Sequence, residues 1–322
     1  MKRSRPKTVL VTGNAGFIGS HLTEKLLADN YRVIGVDNFN DFYDPKVKEK
    51  NVAAAKKNPR FKQYRTDITD FGALERIFEE SEIDLVVHLA ARAGVRPSLV
   101  YPRLYQKVNV EGTVNLLELT RKFEVGRFIF GSSSSVYGEQ KKVPFSETDP
   151  VNRPVSPYAA SKKSAEMFCF AYSKLFGIKT TVLRFFTVYG PRGRPDMAPY
   201  IFAKAILKGE PITRYGKGDT SRDYTYVDDV VTGILAAVKK PFDYEVINLG
   251  HNRPVKLNQF IATIEKIAGK KAKIFEQPRH PADVSQTFAD IGKAKKLLAW
   301  QPKTDLETGL RRFLNWYSNS QP

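Results

Sequence analysis

Gly13, Gly16 and Gly19 stand in the run Gly13-Asn14-Ala15-Gly16-Phe17-Ile18-Gly19, directly after a β-branched segment, Thr8–Thr12, and at the start of an amphipathic helical pattern. Few folds tolerate this arrangement. The spacing permits a tight turn, close approach of the backbone to a pyrophosphate and close packing of helix on strand, and the helix N-terminus presents N–H groups to the phosphates. Asp37 closes the second strand pattern 18 residues beyond Gly19. A carboxylate there accepts hydrogen bonds from an adenosine ribose and repels a 2′-phosphate, so the expected cofactor is NAD and not NADP.

The rest of the first 190 residues repeats that alternation. Strands are expected at Thr8–Thr12, Arg32–Val36, Phe61–Thr66, Leu85–Leu89, Arg127–Gly131 and Thr180–Phe185. Amphipathic segments separate them at Phe17–Asp29, Phe71–Glu80, Tyr105–Phe123 and Ala159–Phe176. Such alternation predicts an α/β fold, a doubly wound parallel sheet with helices on both faces. Leu85-Val86-Val87-His88-Leu89 is apolar on both sides, as a central parallel strand must be. Beyond the Gly/Pro/Arg loop at 190–195 the pattern changes, and a helix at Asp228–Lys239 and a strand at Glu245–Leu249 return to the first unit. Helices are expected again at Leu257–Ala268 and Leu306–Tyr317. Two interleaved domains follow: 1–186 with about 226–250 for the dinucleotide, and 187–225 with 251–322 for a substrate.

Composition excludes several alternatives. Lys and Arg number 52 against 34 Asp and Glu, a net charge of +18, yet the basic residues scatter along the chain in groups such as Lys46-Lys48-Lys50 and Lys293-Lys295-Lys296. They read as solvated faces, with no nucleic-acid stripe. The single cysteine, Cys169, and four dispersed histidines leave no disulfide framework and no metal spacing. No run is long enough for a signal or membrane segment, so the expectation is a soluble, cytoplasmic protein.

Tyr158 and Lys162 lie four apart, on one helix face. An ammonium and a cationic nicotinamide beside a phenol favour its phenolate, which can take a proton from a sugar hydroxyl. The serine run Ser132-Ser133-Ser134-Ser135 at the end of the fifth strand can hydrogen-bond the reacting oxygen. Asp67-Ile68 and Leu89-Ala90-Ala91 fall at the strand ends where such sheets bind ligands.

With Asn109-Val110-Glu111-Gly112-Thr113 and Ser221-Arg222-Asp223-Tyr224 added, the chain resembles the extended short-chain dehydrogenase/reductase family of nucleotide-sugar epimerases over roughly Val9 to Tyr317. The resemblance implies a Rossmann domain holding NAD, a smaller domain holding a nucleotide-diphosphate sugar, and a homodimer formed through the helices at 105–123 and 159–176. It implies that Ser133 assists Tyr158 and that Arg222 meets the diphosphate. It adds Asn38, Asn40, Asn109 and Phe185 to the cofactor set, and Arg96 and Asp283 to the substrate set. Where the family often has an arginine and a glycine before that acidic residue, this chain has His280 and Ala282, and Arg279 is the available substitute.

The stretch Leu183–Ala198 is similar to that of UDP-glucuronate 4-epimerases. The activity implied is conversion of UDP-glucuronate to UDP-galacturonate: oxidation at C4, rotation of the 4-keto sugar and return of the hydride to its other face. Ser133, Ser134, Ser135 and Thr187 supply hydroxyl donors for the uronate carboxylate, with Arg194 at the mouth. Related decarboxylases carry an acid where this chain has Ser134. The alternatives are a UDP-glucose 4-epimerase, a UDP-uronate decarboxylase and a non-catalytic NAD-binding scaffold, the last at odds with an intact Tyr158 and Lys162.

Overall fold

The computed structural model describes residues 7–279 and 284–320, so His280 and Asp283 lie outside the described residues. Strands β1 (Thr8–Thr12), β2 (Arg32–Asp37), β3 (Phe61–Arg65), β4 (Leu85–His88), β5 (Arg127–Ser133) and β6 (Lys179–Phe185) alternate with helices, as their patterns predict. Next come β7 (Thr187–Tyr189), β8 (Pro211–Tyr215), β9 (Ser221–Tyr226), β10 (Tyr244–Leu249), β11 (Pro254–Lys256) and β12 (Lys273–Gln277). Seven strands form one parallel sheet in the order β10-β6-β5-β4-β1-β2-β3.

The period-2 alternation of strand side chains divides the interior in two. Val9, Val11, Val87, Ile129 and Leu183 face one hydrophobic core, while Leu10, Val86, Phe128, Phe130 and Val182 face the other. Both faces are therefore apolar, as parallel sheets covered by helices require. Chain order reverses between β1 and β4, the switch point at which such sheets open a ligand crevice.

The Gly/Pro-rich part builds two small sheets, β11-β9-β7 and β12-β8. Asp223 on β9 organises them: its buried carboxylate accepts hydrogen bonds from the backbone N–H groups of His251 (2.5 Å), Asn252 (3.0 Å) and Ala289 (3.0 Å).

Three expectations need correcting. The helix expected at Tyr105–Phe123 is two α-segments, Pro102–Gln106 and Gly112–Lys122, joined by a π-turn over Lys107–Glu111. β5 continues past Gly131 to Ser133. The helix expected from Ala159 begins at Pro157, where Ser156 caps it by accepting from the Ala159 N–H at 3.1 Å and proline fills the first turn.

The glycine loop is tight in a way that a side chain would destroy. Gly13 has φ +70°, and a Cβ there would come within 2.8 Å of the Ala90 nitrogen. A Cβ on Gly19 would stand 2.1 Å from the Gly13 carbonyl oxygen. Gly72, by contrast, sits at an exposed position in the first turn of the helix Phe71–Glu79 with only an Asp70 oxygen, 3.9 Å away, near its absent side chain. Gly19→Ala is expected to destabilise the fold by about 3 kcal/mol. Gly72→Ala is expected to stabilise it by about 0.5 kcal/mol through the unfolded state, so thermal unfolding of the two variants should shift in opposite directions.

Candidate active site

A cleft of about 390 Å³ opens at the C-terminal ends of β1, β2, β4 and β5. It is lined by Gly13, Gly16, Phe17, Ile18 and Gly19 from the glycine loop and the helix Phe17–Ala28, and by Asp37, Asn38 and Asn40 after β2. Asp67, Ile68, Leu89, Ala90, Ala91 and Phe185 complete the wall, with Ser133, Tyr158, Lys162 and Arg194 on the side nearer the small sheets. The glycine turn is pinned from behind: the Gly13 N–H donates to the Val36 carbonyl at 2.7 Å, and the Asn51 amide to the Ala15 carbonyl at 3.0 Å.

The residues present fit a dinucleotide. Backbone alone can stand at Gly13 and Gly19, and the free N–H groups of the first helical turn face the cleft. Asp37 Oδ1 accepts from the Phe39 N–H at 2.8 Å and lies 3.4 Å from Lys48 Nζ. Lys48 is buried, which lowers its pKa, with Asp37 opposing that effect. The sequence reading placed it on a solvated face; the helix Pro45–Val52 instead turns it inward onto Asp37. Asn38 donates to Asp67 at 2.6 Å and Asn40 to Asn38 at 2.7 Å, so these two amides shape the rim as a chain.

Asn109 occupies a different place from the others. It is buried behind the cleft wall in the π-turn, its amide nitrogen donating to the Arg92 carbonyl and to Ser161 Oγ at 2.9 Å each. Its amide oxygen accepts from the Arg92 N–H at 2.8 Å. It fixes the segment after β4 to the helix bearing Tyr158. His88 is also structural, held between Thr12 and Thr113, and burial keeps it neutral.

Capping by Ser156 sets the first turns of the helix Pro157–Phe176 over the end of β5, and these turns carry Tyr158 and Lys162. Lys162 donates to the Gly131 carbonyl at 2.7 Å and lies over the Phe130 ring, and burial lowers its pKa to about 8, with neighbouring Cys169 and Glu166 opposing that shift. Burial raises the Tyr158 pKa, while its hydrogen bond with Ser133 and the Arg194 charge lower it. Arg194 is the cation that acts on the phenol here, and Lys162 is directed at Gly131. Beneath the pair, buried Glu166 accepts from Ser132 Oγ at 2.6 Å and from Arg184 at 2.8 and 2.9 Å, holding β5, β6 and the helix together.

Beside the first cleft lies a second, lined by Ser134, Ser135, Thr187, Arg222, Ser156 and Thr287 with apolar Val95, Phe145 and Val155. Among the described lining residues none is acidic. Arg96 lines neither cleft; its guanidinium stacks on Tyr215 at 4.0 Å. The sequence reading missed Lys48, Phe42, Tyr43, Ser156 and Thr287. Only Ser156, a Ser-Pro pair before a helical pattern, carried a local signal.

A doubly wound sheet with a glycine-lined crevice and a Tyr–Lys helix beside a serine-tipped strand defines an NAD-binding short-chain dehydrogenase/reductase with a Rossmann-type fold. The chain belongs to the GDP-mannose 4,6 dehydratase family, of the extended type, whose model matches residues 10–313. A relative 49% identical over 308 residues, with 95% of each chain covered, is the UDP-glucuronate 4-epimerase of Thermodesulfobacterium geofontis strain OPF15. A crystal structure of UDP-glucuronic acid 4-epimerase from Bacillus cereus, in complex with UDP-glucuronic acid and NAD, is similar at 39% identity and a TM-score of 0.91, covering 97% of this chain and 99% of that one. The UDP-glucose 4-epimerase of Thermotoga maritima with UDP-glucose has 37% identity and a TM-score of 0.90, with 97% and 99% covered.

Because the folded Lys162 loses its proton as pH rises through about 8, its ammonium is present below that pH and absent above it. NAD affinity measured by calorimetry should therefore fall about tenfold between pH 7 and pH 9.5, the worth of one charge-assisted hydrogen bond. Lys162→Met should flatten that profile.

Proposed function

We propose that this NAD-dependent nucleotide-sugar 4-epimerase interconverts UDP-glucuronate and UDP-galacturonate. The observation that carries the reading is the second cleft: hydroxyl groups of Ser134, Ser135 and Thr187 gathered with Arg222, and no acid among the described lining residues. Neutral donors can hold a uronate carboxylate without the over-tight grip of an ion pair, so the sugar ring is free to turn between its two faces. UDP-glucose offers those hydroxyls a neutral hydroxymethyl group and gains less from them.

The glycine loop, Asp37, Ala90, Ala91 and Lys162 would hold the dinucleotide. Bound NAD supplies a hydride acceptor, then a hydride donor, and in its oxidised form a positive charge beside the phenol. Tyr158 takes the proton of the sugar 4-hydroxyl and later returns it, with Ser133 hydrogen-bonded to the phenol and Arg194 favouring its charged form. Burial opposes that charge, so the phenolate forms only where cations converge. The 4-keto uronate is a β-keto acid prone to losing carbon dioxide. Serine in place of an acid at Ser134, with hydroxyls on the carboxylate, favours retention. Asp283, outside the described residues, belongs to the proposed substrate set, and Arg222, with the 187–225 and 251–322 segments, would receive the nucleotide diphosphate. Arg96 can reach it only by leaving Tyr215.

Coupled assays should show kcat/KM for UDP-glucuronate at least about tenfold above that for UDP-glucose, and the reverse preference would overturn the reading. Tyr158→Phe should lower kcat by about a thousandfold while NAD stays bound. Thr187→Val should raise KM for UDP-glucuronate about fivefold, the loss of one hydrogen bond to a charged group, and leave UDP-glucose turnover nearly unchanged.

A homodimer belongs to the same proposal. Met167, Phe168 and Leu175 share one exposed face of the helix Pro157–Phe176, and Leu99, Val100 and Tyr101 are exposed at the end of the helix that packs beside it. Exposed apolar side chains clustered in this way support such an interface. Sedimentation is expected to show a dimer for the native chain and a monomer for the Met167→Glu/Leu175→Glu variant.

A further inference from the structure

The turn after β7 holds an unusual residue. Gly190-Pro191-Arg192-Gly193 closes through a 3.0 Å bond from the Gly193 N–H to the Gly190 carbonyl, with proline at the second position and Arg192 at the third. Arg192 has φ +62°, the left-handed conformation that such a turn normally assigns to glycine or asparagine. A long side chain in that position needs a compensating contact, and it has one. Its guanidinium donates to Glu24 at 2.7 Å, on the helix Phe17–Ala28 whose N-terminus faces the dinucleotide cleft.

A second anchor lies one turn earlier on the same helix. His21 Nε2 is 2.9 Å from the Pro191 carbonyl, its Nδ1 is 3.9 Å from Asp228 at the start of the helix Val227–Lys239, and its ring packs edge-on against Phe17. Burial lowers the His21 pKa, so the ring is neutral and donates to Pro191. The turn is therefore fastened to the cofactor helix at two successive points.

Two residues further on is Arg194. Its guanidinium bonds Asp196 and reaches the Ala93 carbonyl at 3.3 Å, lies 5.3 Å from the Phe42 ring, and acts electrostatically on Tyr158.

We infer that Arg192, Glu24 and His21 are positioning residues: they latch the substrate-side turn to the cofactor helix and so fix Arg194 against Tyr158 and the sugar. The inference rests on the proposed 4-keto uronate chemistry and adds a determinant of its fidelity. When the carboxylate is misplaced, the C5–C6 bond of the 4-keto uronate breaks, carbon dioxide leaves and the electron pair passes into the enol of the C4 ketone. A loosened latch therefore has a product signature as well as a kinetic one.

Arg192→Gly removes the ion pair while suiting the left-handed turn, and Glu24→Gln removes it from the other side with little change of shape. Each is expected to raise KM for UDP-glucuronate at least about threefold, to lower kcat about threefold as Arg194 loosens from Tyr158, and to increase the decarboxylated share of product. The double variant should be no worse than the stronger single, because both break one interaction. Arg192→Lys should restore wild-type behaviour to within about twofold, and thermal unfolding should stay close to that of the native enzyme. Unchanged KM and product share in Glu24→Gln, additive losses in the double variant, or losses that simply follow falling stability would overturn the latch. A native enzyme that turns over UDP-glucose and not UDP-glucuronate would overturn the substrate reading instead, and the latch would then be judged by KM for UDP-glucose.

Discussion

The contact on which the structure turns is one between backbones. Gly13 and Ala90 meet across β1 and β4 so closely that no Cβ fits between them, and Gly19 packs as tightly on Gly13 from the helix side. These approaches bring strand ends, helix N-terminus and the segment after β4 to one line, and the dinucleotide cleft is the space they leave. Every other functional group is arranged by its distance from that line: Asp37 one strand to one side, Ser133 two strands to the other.

The side carrying Ser133 and Tyr158 is held together for a separate reason. Glu166, Arg184 and Ser132 tie β5, β6 and the helix Pro157–Phe176 into one buried polar unit. These hydrogen bonds fix one arrangement of the neighbours, while the remaining Arg184 Nη1 is buried with no hydrogen-bond partner among the described residues, the guanidinium lying over the Tyr137 ring. Ser133 and Tyr158 each sit next to a member of that unit or on its helix. Their hydrogen bond is thus placed by groups outside the Ser133–Tyr158 pair itself.

Much of this was legible because it is local. The strand patterns, the glycine spacing, the Tyr158–Lys162 pair and the serine run are each properties of a few consecutive residues, and the alternation of elements prescribes a parallel sheet. What stayed hidden depends on residues far apart in the chain. Lys48 looks like one of many surface lysines until the helix Pro45–Val52 turns it onto Asp37. Asn109 carries no sign of its three bonds around the π-turn, and Arg96 none of its stacking on Tyr215. The short strands β7, β8, β9, β11 and β12 pair over long separations and lack any repeating pattern of their own.

The position of β10 has a consequence for how the chain is made. β6 forms its outer ladder only with β10, and the whole of β7, β8 and β9 is synthesised between them. A nascent chain therefore carries β6 as an outer strand, opposite β3, while the small sheets emerge, and an unpaired parallel edge is a template for wrong partners. β10 covers the open side of β6, becoming the outer strand in its place, and in the same step fixes both ends of the segment that carries β7, β8 and β9. Cutting the chain after β6 would not release a finished dinucleotide unit; its own sheet would still be waiting for residues made later.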